Sequence, residues 1–497
     1  MHKLPNVRKR PRRPACVLRT AKSSRHPGLA ATVLGLLSIC SLSAQQPGTA
    51  SHIVIDPGAR RQVIEGFGLN YTGPYFRDDQ KDMFDMLIKD LGASMFRVVV
   101  YFVYSDWEVV NDNDDPNAAN WEYYNERYSN AIFEASWKGL RYLNSRGIRP
   151  VLALMGPAPP WMVEEQSPAP RHKVCQPSSR QGRLRPDMYG EFAEMVVTMA
   201  VYARSRAGID FEYFSPFNET DCYPPEGPRV DPEDAPNVLA AVARRMQQEG
   251  LGDVKLAVAD QALITTDYIG PILKNKELMK QVGAFTLHTY GEDSVGPGVE
   301  TVKKSDYAHV PVWLTEYGDL HDQDKTAEND WKRYSLAANR RALTALNQGA
   351  SALFFFNAFD DYEECARRLT YYGLFRSADH IYAPKKRYYA TKQLYRFVAP
   401  GSQRISASTD AQGLTVSAFR DGAARSLTIV GVKEGGPNRL RVSFAPSSQQ
   451  PATWDLYLTT RDLNCRKMDT LTPAGESLEF DLPDEAVFTL VGRLGGG

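Results

Sequence analysis

The sequence predicts an α/β fold: a (β/α)8 TIM barrel with a C-terminal antiparallel β-sandwich as a side domain. Three observations carry this. From residue 62 to about 395, short apolar runs alternate with longer amphipathic stretches. Eight of those runs are short and mostly apolar, often β-branched or aromatic, as strands covered on both faces are. Beyond Phe397-Val398-Ala399-Pro400-Gly401 helical periodicity stops, and short alternating segments parted by turn residues take over.

Taken in order, residues 1–44 read as a signal peptide. A long basic leader (Arg8 to Arg25) precedes the apolar run Leu29–Leu42, and Ser43-Ala44 supplies small residues for cleavage. An uncleaved anchor is the alternative, although the run is short for a span. Residues 45–61 hold His52-Ile53-Val54-Ile55-Asp56, a strand expected to join the sandwich. The barrel is expected over 62–398 and the sandwich over 399–497. The eight strand candidates are Val63–Gly68, Met95–Val100, Pro150–Met155, Glu212–Glu219, Lys255–Asp260, Phe285–Tyr290, Val312–Glu316 and Ala352–Asn357. Between them lie helical faces such as Met83, Phe84, Leu87, Ile88 and Leu91, closed by Gly92, and Ile132, Phe133, Trp137, Leu140 and Leu143, closed by Gly147. Strands alternating with helices imply parallel pairing and closure. A doubly wound open sheet is the runner-up, and no phosphate-binding glycine loop supports it.

Composition removes several classes. Lysine plus arginine equals aspartate plus glutamate at 59 each, so no basic surplus invites nucleic acid. No Cys–His cluster has zinc spacing, and neither metal nor cofactor is expected. Past the leader stand Cys175, Cys222, Cys365 and Cys465. A Cys175–Cys222 bridge is plausible in an exported chain, and four unpaired thiols are the alternative.

A barrel of this kind carries its site at the C-terminal ends of the strands. Two candidates end in glutamate: Phe217-Asn218-Glu219 on the fourth and Leu314-Thr315-Glu316 on the seventh. Three βα units separate them, so both can face one cleft from opposite sides. Paired carboxylates across a glycosidic bond are what hydrolysis requires, one as protonated acid and one as ionised nucleophile. Asn218 can address a sugar hydroxyl. Arg97, inside strand two, is costly there unless paired, and Glu316 is a suitable partner. His288 and Tyr290 end strand six beside Glu316, and Trp161 offers a flat apolar face for a pyranose. Each has a structural alternative: a salt bridge, a core histidine, ordinary packing. The joint placement at matching strand ends favours chemistry.

These stretches also resemble a known family. Gln62–Gly68, Ser215-Pro216-Phe217-Asn218-Glu219, Leu287-His288-Thr289-Tyr290, Trp313-Leu314-Thr315-Glu316-Tyr317, and Tyr388-Tyr389-Ala390 leading to Phe397–Ser402 are similar to motifs of glycoside hydrolase family 30, in clan A. The resemblance covers nearly all of residues 51–497. It implies a retaining mechanism with Glu219 as acid/base, Glu316 as nucleophile, no metal, and a sandwich fixed rigidly to the barrel. Two departures stand out. Phe217 occupies a position commonly smaller or polar, and strand eight, Phe354-Phe355-Phe356-Asn357, lacks the tryptophan of many clan members.

The expectation is a secreted or periplasmic monomer acting on oligo- or polysaccharides, with no membrane association after leader cleavage. An endo-acting glycanase on hemicellulose or a β-1,6-linked polymer comes first, then an exo-acting β-glucosidase or β-xylosidase. A carbohydrate-binding pseudoenzyme and a structural surface protein are the readings from other classes. Long loops on the catalytic face (Tyr104, Trp107, Trp121, Tyr123 and Tyr124; Arg171, Lys173, Arg180, Arg183 and Arg185; Asp360 to Arg368) could wall a cleft, the arginines receiving a uronate.

Overall fold

The computed structural model describes residues 50–101, 107–164, 182–221, 226–320, 326–360, 362–363, 368–377, 380–436, 438–446 and 450–494. The expected leader, and with it Cys175, Cys222 and Cys365, lies outside them. Among the described residues no helix is long and apolar enough to cross a membrane.

Eight strands close a parallel barrel in sequential order. We number them β2 (Gly66–Thr72), β3 (Met95–Tyr101), β4 (Val151–Leu154), β5 (Tyr213–Ser215), β6 (Lys255–Gln261), β7 (Val282–Thr289), β8 (Val312–Tyr317) and β9 (Ala352–Phe355); β1 (Ser51–Val63) precedes them. The first barrel strand therefore starts later than the candidate Val63–Gly68. Gln62 and Val63 are not in the barrel because β1 runs through Val63, pairing there with Gln403. The shift of register brings Asn70 into the barrel mouth. β5 is shorter than expected: Pro216 has no N–H for the ladder, and the chain turns away after Ser215.

Inside the barrel, Val151, Ala257, Ala284, Trp313, Ala352 and Phe354 form a small packed core. Gly68 is required by it, since a Cβ there would stand 2.3 Å from the Phe354 ring. Outside, the helix Ala131–Ser145 starts on Asn130, whose side chain accepts the N–H groups of Ile132 and Phe133. It buries Phe133, Trp137, Leu140 and Leu143 against the strands. The helix beginning at Lys81 ends in a wider turn over Met86–Leu91, which Gly92 closes at φ +93°.

The second domain is one nine-stranded sheet. Pairing is antiparallel apart from β1, which lies parallel to Arg439–Phe444 and antiparallel to Gln403–Thr409. The expected all-antiparallel sandwich thus contains one parallel pair, because β1 enters from ahead of the barrel. Strands from opposite ends of the order meet through ring contacts, Phe444 stacked on Trp454 at 5.7 Å and Phe480 edge-on to Phe488 at 5.7 Å. The sheet therefore folds over its own apolar core, sandwich-fashion. Its other face supplies Phe419, Val430, Val432 and Val487 to the main core of the barrel. Thr489 Oγ1 donates to Gln393 O at 2.5 Å, and Trp331 Nε1 donates to Glu485 at 2.7 Å across the same junction.

Candidate active site

The C-terminal ends of six strands converge on one polar cluster. Arg97 of β3 lies at its centre, fully buried. Its Nη1 donates to Glu316 Oε1 at 2.7 Å and to Asn70 Oδ1 at 3.1 Å. Its Nη2 donates to Asn218 Oδ1 at 2.7 Å and to Asp260 Oδ2 at 3.0 Å. A guanidinium has a rigid fork of donors, and here every one of these contacts arrives from a different strand end. Burial alone would discharge Arg97, but Asp260 and Glu316 hold its pKa above the usual value.

Glu316, on β8, receives a second donor on its other oxygen: Tyr290 Oη lies 2.5 Å from Oε2. Two donors, one of them cationic, thus hold this carboxyl, one on each oxygen. Burial raises the Tyr290 pKa far above its ordinary value, with the charges of Glu316 and Glu219 adding to the effect, so the hydroxyl stays a donor.

Glu219 has different surroundings. It follows β5 in the left-handed region at φ +40°, and its N–H donates to Asp260 O at 2.8 Å. Asp260 sits at φ +47°. Non-glycine residues reach this region at a cost of about 1–3 kcal/mol. Here the bend aims the Glu219 side chain across the mouth. Its Oε1 accepts from His288 Nδ1 at 2.8 Å. Burial pushes the Glu219 pKa up, and proximity of Glu316 and Asp221 acts in the same direction. The two glutamates are thus chemically unlike.

His288 stands between them, fully buried, with Nδ1 3.6 Å from Glu316 Oε2 and Nε2 3.3 Å from Asp260 Oδ1. Burial works against its charge, but Glu316, Asp260 and Glu219 outweigh that and push its pKa up to about 10. One oxygen of Glu219, one of Glu316 and a ring nitrogen of His288 lie within 4.8 Å of one another. Three such atoms are also a possible cation cradle. Arg97 already sets a fixed positive charge against one of these carboxyls, Glu316.

The structure brings together six of the seven candidate residues: Arg97, Asn218, Glu219, His288, Tyr290 and Glu316. Trp161 stands apart from them in the contacts it makes. Its indole N–H donates to Glu108 O at 2.9 Å, and the half-buried ring packs on the barrel core. Two members of the cluster were not singled out from the sequence, Asn70 and Asp260. Asp260 ended a recognised strand candidate and could have been found by that criterion. Asn70 was hidden by the register of the first strand.

The loop residues divide in the same way. Trp107 and Tyr124 are buried in the core rather than lining a cleft wall. Arg183 is paired with Glu164 and Asp234, and Arg185 with Asp187, so protein carboxylates already occupy the arginines proposed for a uronate. Asp360 is buried against Lys385. Tyr104, Arg171, Lys173, Arg180, Asp361, Glu364 and Arg367 fall outside the described residues. Cys465 carries a free thiol, which burial pushes up to about 11.

Fold and site together define a class: a closed (β/α)8 barrel with a β-sandwich at its side and two unlike carboxyls facing across the mouth. No family model matches the sequence. Among solved structures, an endoxylanase of glycoside hydrolase family 30 from Clostridium papyrosolvens is similar at 20% identity and a TM-score of 0.66, over 89% of this chain and 100% of that one. An endo-β-1,6-glucanase is similar at 18% identity and 0.61, over 89% and 93%. A conserved exported protein from Bacteroides fragilis is similar at 17% identity and 0.64, over 88% and 100%. At these identities the likeness establishes the shared two-domain fold.

Proposed function

We propose that the protein is an exported retaining glycoside hydrolase of the family 30 type, cleaving β-linked glycans by double displacement. The observation that carries this is the approach of Glu219, Glu316 and His288 to within 4.8 Å. One oxygen from each glutamate at a single small site supports the close pair of the retaining arrangement, with carboxyls about 5–5.5 Å apart. Glu316, charged and held by Arg97 and Tyr290, attacks the anomeric carbon and forms a glycosyl ester. Glu219, kept protonated by burial, gives its proton to the departing oxygen. It then takes one from the water that opens the ester. Asn218, buried behind the pair, accepts from Arg97 through Oδ1 and donates Nδ2 to Glu226 O at 3.4 Å, which fixes the turn that carries Glu219. An endo-acting mode is favoured, since the similar structures include an endoxylanase and an endo-β-1,6-glucanase. The basic, apolar leader supports export.

A panel of β-linked polysaccharides with product sizing tests this directly. Oligosaccharides of mixed length are expected, and monosaccharide alone would mean exo action. Glu316→Ala is expected to lose turnover by 10⁴-fold or more, on the order of other nucleophile losses, while still folding. A variant with wild-type rate overturns the mechanism. Glu219→Ala should spare the first step on activated aryl glycosides relative to polymer.

A further inference from the structure

Beneath the two glutamates lies a third carboxyl that the scheme above does not use. Asp260 is fully buried, so neither oxygen can meet substrate. Its Oδ1 accepts from Thr315 Oγ1 at 2.6 Å and faces His288 Nε2 at 3.3 Å. Its Oδ2 accepts from Ser215 Oγ at 2.5 Å and Arg97 Nη2 at 3.0 Å. Its main chain is tied as well, the N–H to Thr286 Oγ1 at 2.8 Å and the carbonyl to the N–H of Glu219. β3, β5, β7, β8 and the turn carrying Glu219 all meet at this one side chain and its backbone.

We propose that Asp260 is the positioning residue that sets the charge pattern of the cleft, holding His288 as an imidazolium and Arg97 between Glu316 and Asn218, so that Glu219 alone stays neutral. The proposal rests on the hydrolytic reading only for the use made of that pattern. Its basis is charge balance in a region without solvent. Two cations, Arg97 and His288, meet two anions, Asp260 and Glu316, and the sum is zero only with Glu219 protonated. Unbalanced buried charge is expensive, so a cluster of this kind selects the protonation state that cancels.

The charged and titratable groups around His288 are few: Glu219 and Asp221 from the turn after β5, Asp260 from β6, and Glu316 from β8. Arg97 reaches Asp260 and Glu316, and Tyr290 reaches Glu316. Asp221 is itself turned towards the N–H groups of Ala262 and Leu263 at 3.0 and 2.9 Å, and burial raises its pKa. It is therefore a poor substitute for Asp260. Desolvation raises the Asp260 pKa, but Arg97, His288 and Ser215 outweigh it and hold that pKa well below the carboxylate range.

Replacing Asp260 by Asn keeps the shape and removes one negative charge. The cluster is then left with a surplus positive charge, and His288 is the cation able to release its proton. The experiment follows the Cε1–H resonances of labelled histidine through a pH titration of the full-length protein, with His288 assigned by its loss in His288→Gln. In the wild type the His288 midpoint is expected at pH 9 or above. In Asp260→Asn it is expected to fall by at least 1.5 pH units, a weakening of proton binding of roughly 30-fold or more. A variant midpoint within 0.5 unit of wild type overturns the proposal, and so does a wild-type midpoint below 8. If Asp260→Asn does not accumulate folded, the wild-type titration decides alone, with 8 as the dividing value. Should the titrations behave as expected while Glu316→Ala keeps full turnover, the charge assignment stands and the hydrolytic reading falls.

Discussion

Two glutamates of identical chemistry stand in unlike surroundings, because their neighbours differ in charge and hydrogen bonding. Glu316 meets Arg97 and Tyr290, one on each oxygen. Glu219 meets a single donor, His288, inside a buried corner that disfavours its ionised form. A raised acid is active while protonated, so turnover should fall as pH rises through the Glu219 pKa, and the alkaline limb of the kcat/KM profile reads it. Away from the cleft, Glu194 shows the same physics without a function. It is almost fully buried, and neither carboxyl oxygen has a hydrogen-bond partner among the described residues. Burial pushes its pKa up to about 8, with Asp112, Glu108 and Glu191 contributing against the relief from Arg245. Between the ordinary carboxylate pKa and about 8, the unfolded chain releases a proton that the folded chain retains. Stability is therefore lost as pH climbs through that window. Glu194→Gln, which mimics the neutral acid, should add on the order of 2 kcal/mol at pH 8 and close to nothing at pH 4. Denaturant melts at the two pH values check this, and an equal gain at both would refute it.

At the scale of elements, the site is made by where strands stop. β5 ends at Ser215 because Pro216 cannot continue the ladder, which frees Asn218 and Glu219 to bend over the barrel mouth. Gly227 then packs directly on that bend: a Cβ on it would come within 1.6 Å of Asn218 O. Gly227→Ala must push the Asn218–Glu219 backbone aside, and a displacement near 1 Å at a catalytic group costs about 100-fold in rate. Loss of kcat by that order, with circular dichroism unchanged, is the expected result; near-normal kcat would show that the bend is held elsewhere. The motif residues on β5, β7 and β8 were legible as a set because strand-ending polar residues break an otherwise apolar pattern. Asn70 was not legible, since the apolar pair Val63-Ile64 lies just ahead of β2 and only its pairing with Gln403 assigns Val63 to β1.

For the molecule as a whole, the junction between barrel and sandwich decides how it unfolds. Phe419, Val430, Val432 and Val487 of the sheet lie in the same core as the barrel helices. Thr459 and Thr489 bond Gln393 within it. β1, preceding the barrel in sequence, completes the sheet that follows it. An apolar shared core and a strand exchanged between the two ends of the chain leave neither part an independent unit. Calorimetry of the protein should show one transition for this two-domain unit, with calorimetric and van't Hoff enthalpies equal within error. Two resolved transitions would mean that the domains melt separately.

The sequence by itself determined the alternation of strands and helices, the change to β structure past residue 400, and the two strand-ending glutamates. Each of these is a local matter of apolar period, turn residues and position along a strand. Tertiary structure alone decided which acid is buried beside a histidine and which is gripped by an arginine and a tyrosine. It also decided that Arg183 and Arg185 are spent on protein carboxylates, and that Asp260 underlies the whole cluster. These depend on charges brought within about 4 Å from strands far apart in the chain, where low polarizability makes every neighbour count. No period or spacing encodes that proximity; barrel closure creates it.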